Sequence, residues 1–196
     1  MIDVRIDIDR SQIKSLEKRL GNLKSKAPTV LARAINRAAA KARTEMWDTM
    51  KSRYFVSQKG VYGTISVHKA NSSKLSAEVT SKGAPILLTE FKTGSLKRAK
   101  RKKKGGYTPD VFKAGVKKAG GVKPLSGNPK PFGTGKNGSL VVRESSKRWP
   151  VHPLYGPAVP SMIKNEEVIG RVKEAAMDML ERRIDAEVNN ILQRGR

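Results

Sequence analysis

The chain has 196 residues, with 41 Lys+Arg against 17 Asp+Glu for a net charge of +24, and only 5% of it is aromatic. It contains no Cys, which excludes a disulfide framework, a thiol nucleophile, a zinc finger and an iron–sulfur site. No apolar run approaches the ~18–20 residues that cross a bilayer. The opening MIDVRIDID alternates charge with Ile and Val rather than building a signal peptide, so one soluble domain spanning 1–196 and made in the cytoplasm is expected.

The first element is a strand, because Ile2, Val4, Ile6 and Ile8 alternate with charged residues. Asp9 or Ser11 can cap the helix that follows, with Gln12 in the reciprocal capping-box position. Ile13, Leu16, Leu20 and Leu23 mark one face of that helix, and Gly21 weakens its end. Pro28 suits the first turn of a second, Ala-rich helix that extends to about Arg53. Leu31, Ile35, Ala38, Ala42 and Met46 form its apolar stripe, and Arg33, Arg37 and Lys41 form a basic stripe on another face. The small residues Ala38, Ala39, Ala40 and Ala42 would let a partner backbone approach closely.

Short strands follow. Thr64–His68 and Leu75–Thr80 alternate, and Ala70–Asn71–Ser72–Ser73 between them reads as a hairpin turn. Ile86–Phe91, entered by Pro85, reads as a third strand and Leu140–Val142 as a fourth. Trp149–Met162 is rigid rather than regular, since it holds Pro150, Pro153, Pro157 and Pro160. Asn165 can cap a long C-terminal helix reaching about Gln193, with Glu166 and Glu167 in its first turn, where acids suit the dipole. Its apolar face is split. Val168, Val172, Ala175 and Met179 share one side, whereas Leu180, Ile184, Val188 and Ile191 centre about a third of a turn away. Two readings stay open for the second set, a subunit interface or a bent helix on the chain's own sheet. The expected class is α+β, a small, mostly antiparallel sheet with a long Ala-rich N-terminal helix and a long C-terminal helix.

Charge is uneven. Residues 92–138 hold 14 Lys+Arg and one acid, Asp110, together with ten Gly and four Pro. With no sustained period, this segment reads as a basic insertion or long loop. Its run KRAKRKKK comprises Lys97, Arg98, Lys100, Arg101, Lys102, Lys103 and Lys104 around Ala99. Three readings compete for it, namely a solvated loop, a nuclear-localisation signal and a contact to a polyanion. The last is favoured, together with the stripe of Arg33, Arg37 and Lys41, and would engage phosphates without reading sequence. Tyr107, Phe112 and Phe132 near the run can stack on bases or pin the loop to a core.

Catalytic signals are weak. His68 falls on the polar side of a strand and His152 between prolines, with no familiar metal-ligand spacing. No G-x-S-x-G elbow occurs. The glycine-rich stretches at Gly105–Gly106, Gly120–Gly121 and Gly133–Gly138 lack phosphate-loop spacing. Glu90 is read as offsetting Lys92. No cofactor or metal is expected, and the chain is not read as an enzyme.

From Arg148, the block RWPVHPLYGPAVPSM resembles the segment that precedes the C-terminal helix in the phage minor tail protein Z family, the tail-completion proteins of long-tailed phages. The helix LARAINRAAAKARTEM, the stretch RYFVSQKGVYGTISVHKAN and the stretch SAEVTSKGAPILLTEFK fit as well, so the resemblance covers about residues 28–193 and departs from it over 97–138. It implies a structural virion protein at the head-proximal end of the tail, a self-assembling ring that helps join the tail to the filled head. Implied partners are the tail terminator and head–tail connector proteins, the tape-measure protein and double-stranded DNA in the channel, with no membrane. Pro150, Tyr155, Gly156, Pro157, Val159 and Pro160 would form an assembly strap, and Leu180, Ile184, Val188 and Ile191 a subunit interface. The alternative is a free nucleic-acid-binding protein without sequence preference, which the charge alone favours equally.

Overall fold

The alternation of Ile2, Val4 and Ile6 with charged residues produces β1 (Ile2–Asp7) in the computed structural model, with Val4 and Ile6 buried and the charges between them exposed. The structure describes residues 1–57, 61, 63–94, 112–134, 139–164 and 166–194. Long helices and small antiparallel sheets make the architecture α+β. Contacts divide the chain into two compact units, one of residues 1–49, 63–83 and 160–196, the other of residues 50–62 and 84–159.

In the first unit, β3 (Ser76–Ser81) is the central strand of a three-stranded antiparallel sheet between β1 and β2 (Ile65–His68). Val4 and Val67 both oppose Val79, and Ile6 opposes Ala77. That register puts the apolar set on one face, and a one-residue slip would turn it to water. The turn before β3 forms as expected, with Asn71 Oδ1 accepting from the backbone N–H groups of Ser73 at 3.0 Å and Lys74 at 2.7 Å.

Helix α1 (Arg10–Leu20) starts on a complete capping box. The Gln12 N–H donates to Asp9 Oδ1 at 2.8 Å, and the Asp9 N–H donates to Gln12 Oε1 at 3.2 Å. The Ser11 hydroxyl adds a 2.6 Å bond to Asp9 Oδ1. These bonds hold the Asp9 carboxyl below the ordinary carboxylate range, Ser11 contributing most and the Gln12 N–H next. Gly21, at φ 55°, ends the helix in a conformation that a Cβ would disfavour. A 3₁₀ turn, Gly21–Lys26, then leads into α2 (Ala27–Arg53).

The stripe of Leu31, Ile35, Ala38, Ala42 and Met46 on α2 is completely buried. Fully burying one large aliphatic side chain is worth about 1.5–3 kcal/mol, so this stripe is a principal stabiliser of the unit. Ala38 and Ala39 are filled in by the chain's own packing, and of the run of alanines only Ala40 is exposed. From the same helix, the Asn36 amide grips the residue before the hairpin turn at both backbone groups. Its Nδ2 donates to the Ala70 carbonyl at 2.9 Å, and the Ala70 N–H donates to its Oδ1 at 2.8 Å.

A short helix, α3 (Val159–Ile163), precedes α4 (Glu166–Arg194). The expected cap Asn165 lies outside the described residues. The split face expected on α4 is instead one drifting stripe. Ala176 is buried and Ala175 only half-buried, so Val168, Val172, Ala176, Leu180, Ile184 and Val188 follow at steps of four. Each such step turns the stripe by about 40° on a helix of 100° per residue. Leu180 and Val188 are buried within the chain, and Ile184 and Ile191 pack against Leu16, Leu20, Val30 and Leu31. The four residues expected to form a subunit interface therefore belong to this unit's own core, because α1 and the start of α2 cover the face to which the stripe drifts.

The second unit holds two more three-stranded antiparallel sheets where one small sheet was expected. Strands β4 (Lys92–Thr93), β5 (Lys113–Gly115) and β6 (Lys123–Pro124) form the first, and β7 (Phe132–Thr134), β8 (Ser139–Arg143) and β9 (Val151–Pro153) the second. Residues 112–134 of the expected loop thus carry three short strands, pinned by buried Phe112. Ile86–Phe91 is not a strand. Leu88–Glu90 is a 3₁₀ turn that buries Leu88, and only Leu87 bridges to another strand-like residue, Tyr155.

Because the Asp9 pKa is depressed in the folded chain, its contribution to stability is present above the unfolded carboxylate value and is lost as pH falls through the folded value. Hydrogen exchange of the α1 amides should accelerate with acid over that window, and Asp9→Asn should flatten the dependence while keeping the cap. Asn36→Ala strands a buried backbone N–H and C=O at Ala70 and should cost about 1–3 kcal/mol in denaturant unfolding.

Candidate assembly and polyanion-contact surfaces

Among the described residues no group of three or more His, Asp or Glu is placed to hold a metal ion. His68 is exposed, and His152 Nε2 faces Glu144 at 3.4 Å on the surface. Glu90 does not offset Lys92. Its carboxylate accepts from the Ser57 hydroxyl at 2.8 Å, and its carbonyl accepts from the Ser57 N–H at 3.0 Å. Lys92 sits instead over the Phe55 ring, 5.1 Å from its centre. No helix of the described residues is long and apolar enough to cross a membrane.

The run Lys97, Arg98, Lys100, Arg101, Lys102, Lys103 and Lys104 lies outside the described residues, as does Tyr107. It belongs by sequence to the second unit, which carries 20 Lys+Arg against three acids, a net +17. The first unit carries 21 against 14, a net +7. The charge of the second unit does not depend on the run alone. Lys113, Lys117, Lys118, Lys123 and Lys130 are all exposed and make no ion pair among the described residues. Lys117 and Lys118 sit at the tight turn joining β5 to β6, where their carbonyls accept from Gly120 and Gly121. The glycines there serve the turn rather than a phosphate loop. Phe132 lies under the Arg143 guanidinium, 4.4 Å from the ring centre, so one face of the ring is taken within the chain.

Arg33, Arg37 and Lys41 do share a side of α2, but two of them are already paired. Arg33 Nη1 is 3.5 Å from Glu187, and Lys41 Nζ is 2.9 Å from Glu45. Arg37 makes no ion pair among the described residues. Together with Lys41, Ala40 and Thr44 it lines one wall of a groove of about 350 Å³ against α4, where Met179 and Arg183 form the other wall. Arg183 carries no mark in the sequence that singles it out. Its guanidinium reaches Glu187 at 3.4 Å, yet its Nε is buried without a partner. The packing of α4 beside α2 brings it to Arg37 from far along the chain, and no local spacing signals that.

The Pro-rich block is fastened along its length within the second unit. Strand β9 pairs with β8, the Leu154 N–H donates to the Leu140 carbonyl at 2.9 Å, and the Leu154 carbonyl accepts from Leu88 at 2.9 Å. The Gly156 N–H donates to the Ile86 carbonyl at 2.8 Å. A Cβ on Gly156 would stand 2.5 Å from the ring of Phe91, itself almost fully buried. Pro150 and Tyr155 are exposed, Pro157 is half-buried, and Val159 and Pro160 are buried as α3 begins. The strap is therefore an intramolecular fastening at Gly156 and Val159, and its outward side carries Trp149, Pro150, His152, Pro153 and Tyr155, with Leu87 beside Tyr155.

A family model for prophage minor tail protein Z matches residues 13–194. No curated protein and no solved structure matches the chain.

Gly156→Ala should overpack the Phe91 contact and cost about 1–3 kcal/mol, read as a lowered unfolding midpoint of the isolated chain. Phe91→Leu in the same chain should recover part of the loss, because it removes the ring that the new methyl meets.

Proposed function

The chain belongs to the prophage minor tail protein Z family and is a structural component of the phage tail, and from that premise we propose that it completes the tail at its head-proximal end as a ring. In this reading the ring closes around the DNA channel and meets the tail terminator, the head–tail connector and the end of the tape-measure protein. Its role is assembly rather than catalysis.

The observation that carries the reading is the segregation of charge, a net +17 on one compact unit and +7 on the other. A basic unit whose Lys113, Lys117, Lys118 and Lys123 make no ion pair among the described residues suits the wall of a channel that carries DNA. Lysines there neutralise phosphates without reading bases, so the duplex is held but not fixed in register. Lys97, Arg98, Lys100, Arg101, Lys102, Lys103 and Lys104 supply seven of that unit's 20 cations. The same charge supports the second reading, a free nucleic-acid-binding protein, which differs in needing neither a ring nor a tail.

The native mass of the chain, alone and mixed with tails that lack it, separates the two. A defined oligomer, or uptake at one tail end, supports the tail-completion reading. A monomer that ignores tails and binds duplex DNA replaces it with the second. Neutralising the seven cations of residues 97–104 should weaken duplex binding and lower the slope of log affinity against log salt by about one for each phosphate no longer neutralised. Unchanged binding at low salt would remove that run from the DNA-binding surface.

A further inference from the structure

We propose that the groove between α2 and α4 receives an acidic stripe from the α4 of a second copy of this chain, making a head-to-tail subunit contact. This rests on the ring reading above and assigns the two surfaces that meet.

The groove is cationic and incompletely satisfied. Among the described residues Arg37 has no ion pair and Arg183 Nε has no hydrogen-bond partner. The Arg183 guanidinium is partly exposed and shares Glu187 with Arg33, so with Arg37 the groove keeps an excess of positive charge for an anion to meet. The complementary surface lies on the same helix. Glu174, Asp178 and Glu181 are exposed and make no ion pair among the described residues. Spaced i, i+4, i+7, they fall within an arc of about 60° at 100° per residue. Like charges four apart on a helix are unfavourable, and this chain has only 17 acids for 41 cations. Three carboxylates left side by side are thus a liability to the isolated chain that a cationic partner removes.

They cannot reach the groove of their own chain. Met179 and Arg183 lie about 140° and 180° around α4 from Glu174. Two different, mutually complementary patches on opposite sides of α4 form a heterologous contact, which closes into a ring when the rotation permits. Apolar complements accompany the charges, with Met177 exposed beside Asp178, and Ala40 and Met179 in the groove. Duplex DNA is the poorer occupant. Glu45 and Glu187 neutralise part of the groove and would repel phosphates, and a pocket of about 350 Å³ accepts side chains rather than tracking a double helix.

The test is charge reversal with native mass as readout across a range of protein concentration and salt. Arg37→Glu with Lys41→Glu, and separately Asp178→Lys with Glu181→Lys, should each weaken self-association at least ~10-fold. All four substitutions in one chain, or a mixture of the two variants, should restore it, because every contact then again pairs opposite charges. Arg37, Asp178 and Glu181 are exposed and Lys41 is half-buried beside Glu45, and an unchanged unfolding midpoint checks that each variant is folded. A wild-type oligomer that both reversals leave intact overturns the contact but spares the ring reading. A wild-type chain monomeric at every concentration and absent from tail ends overturns both. Loss of duplex binding by Arg37→Glu with Lys41→Glu, with self-association unchanged, assigns the groove to nucleic acid and overturns the proposal.

Discussion

A net charge of +24 opposes its own compaction, and the fold works because its apolar faces are kept continuous while the described cations are kept at turns and outer faces. The α2 stripe from Leu31 to Met46 is the clearest case. Its side chains are wholly buried, yet Arg33 and Arg37, interleaved in sequence, are exposed. In the first unit several acids serve as local counterweights, as Asp185 does for Arg19 at 2.7 Å and Glu187 for Arg33 and Arg183. The second unit has three acids in all and forgoes most of that compensation. Its strands are two to five residues long, and Lys113, Lys117, Lys118, Lys123 and Lys130 are exposed along them and at their turns, where water screens them.

Local periodicity carried much of this from the sequence. The β1 alternation, the reciprocal pairing of Asp9 and Gln12, the end of α2 at Arg53 and the Asn71 turn all depend on residues within a few positions of one another. What was not legible depends on pairing across the chain. Nothing local indicates that the strands sort into three sheets, since a strand's partner is chosen by tertiary packing. Ile86–Phe91 has strand composition, but Leu88 is buried as a 3₁₀ turn, and the backbone bonds of Ile86 and Leu88 go to Gly156 and Leu154. Asn36 gave no signal either, because its two bonds to Ala70 span 34 residues.

The Pro-rich block shows how one resemblance can carry two roles. Its specificity as a sequence comes largely from residues that this chain uses for itself. Gly156 is required by the Phe91 ring, and Val159 enters the core. A glycine pressed against a buried aromatic ring preserves a fold rather than recognising a partner. What remains for a partner is the outward pair of Trp149 and Tyr155, large side chains of the kind that anchor interfaces at small entropic cost.

The same reasoning limits what α4 can offer a neighbour. A helix has a limited circumference, and the stripe from Val168 to Val188 consumes one side of it in the chain's own core. An apolar contact to a neighbour through Leu180 or Val188 would require unpacking that core. The side that remains exposed is largely polar, with Met177 as its large apolar member, which is why the proposed contact is electrostatic. Contacts of that kind gain specificity and association rate more than affinity. In the proposed ring, that balance would let each copy stay dispersed until many are brought together, where each weak contact is reinforced by the next.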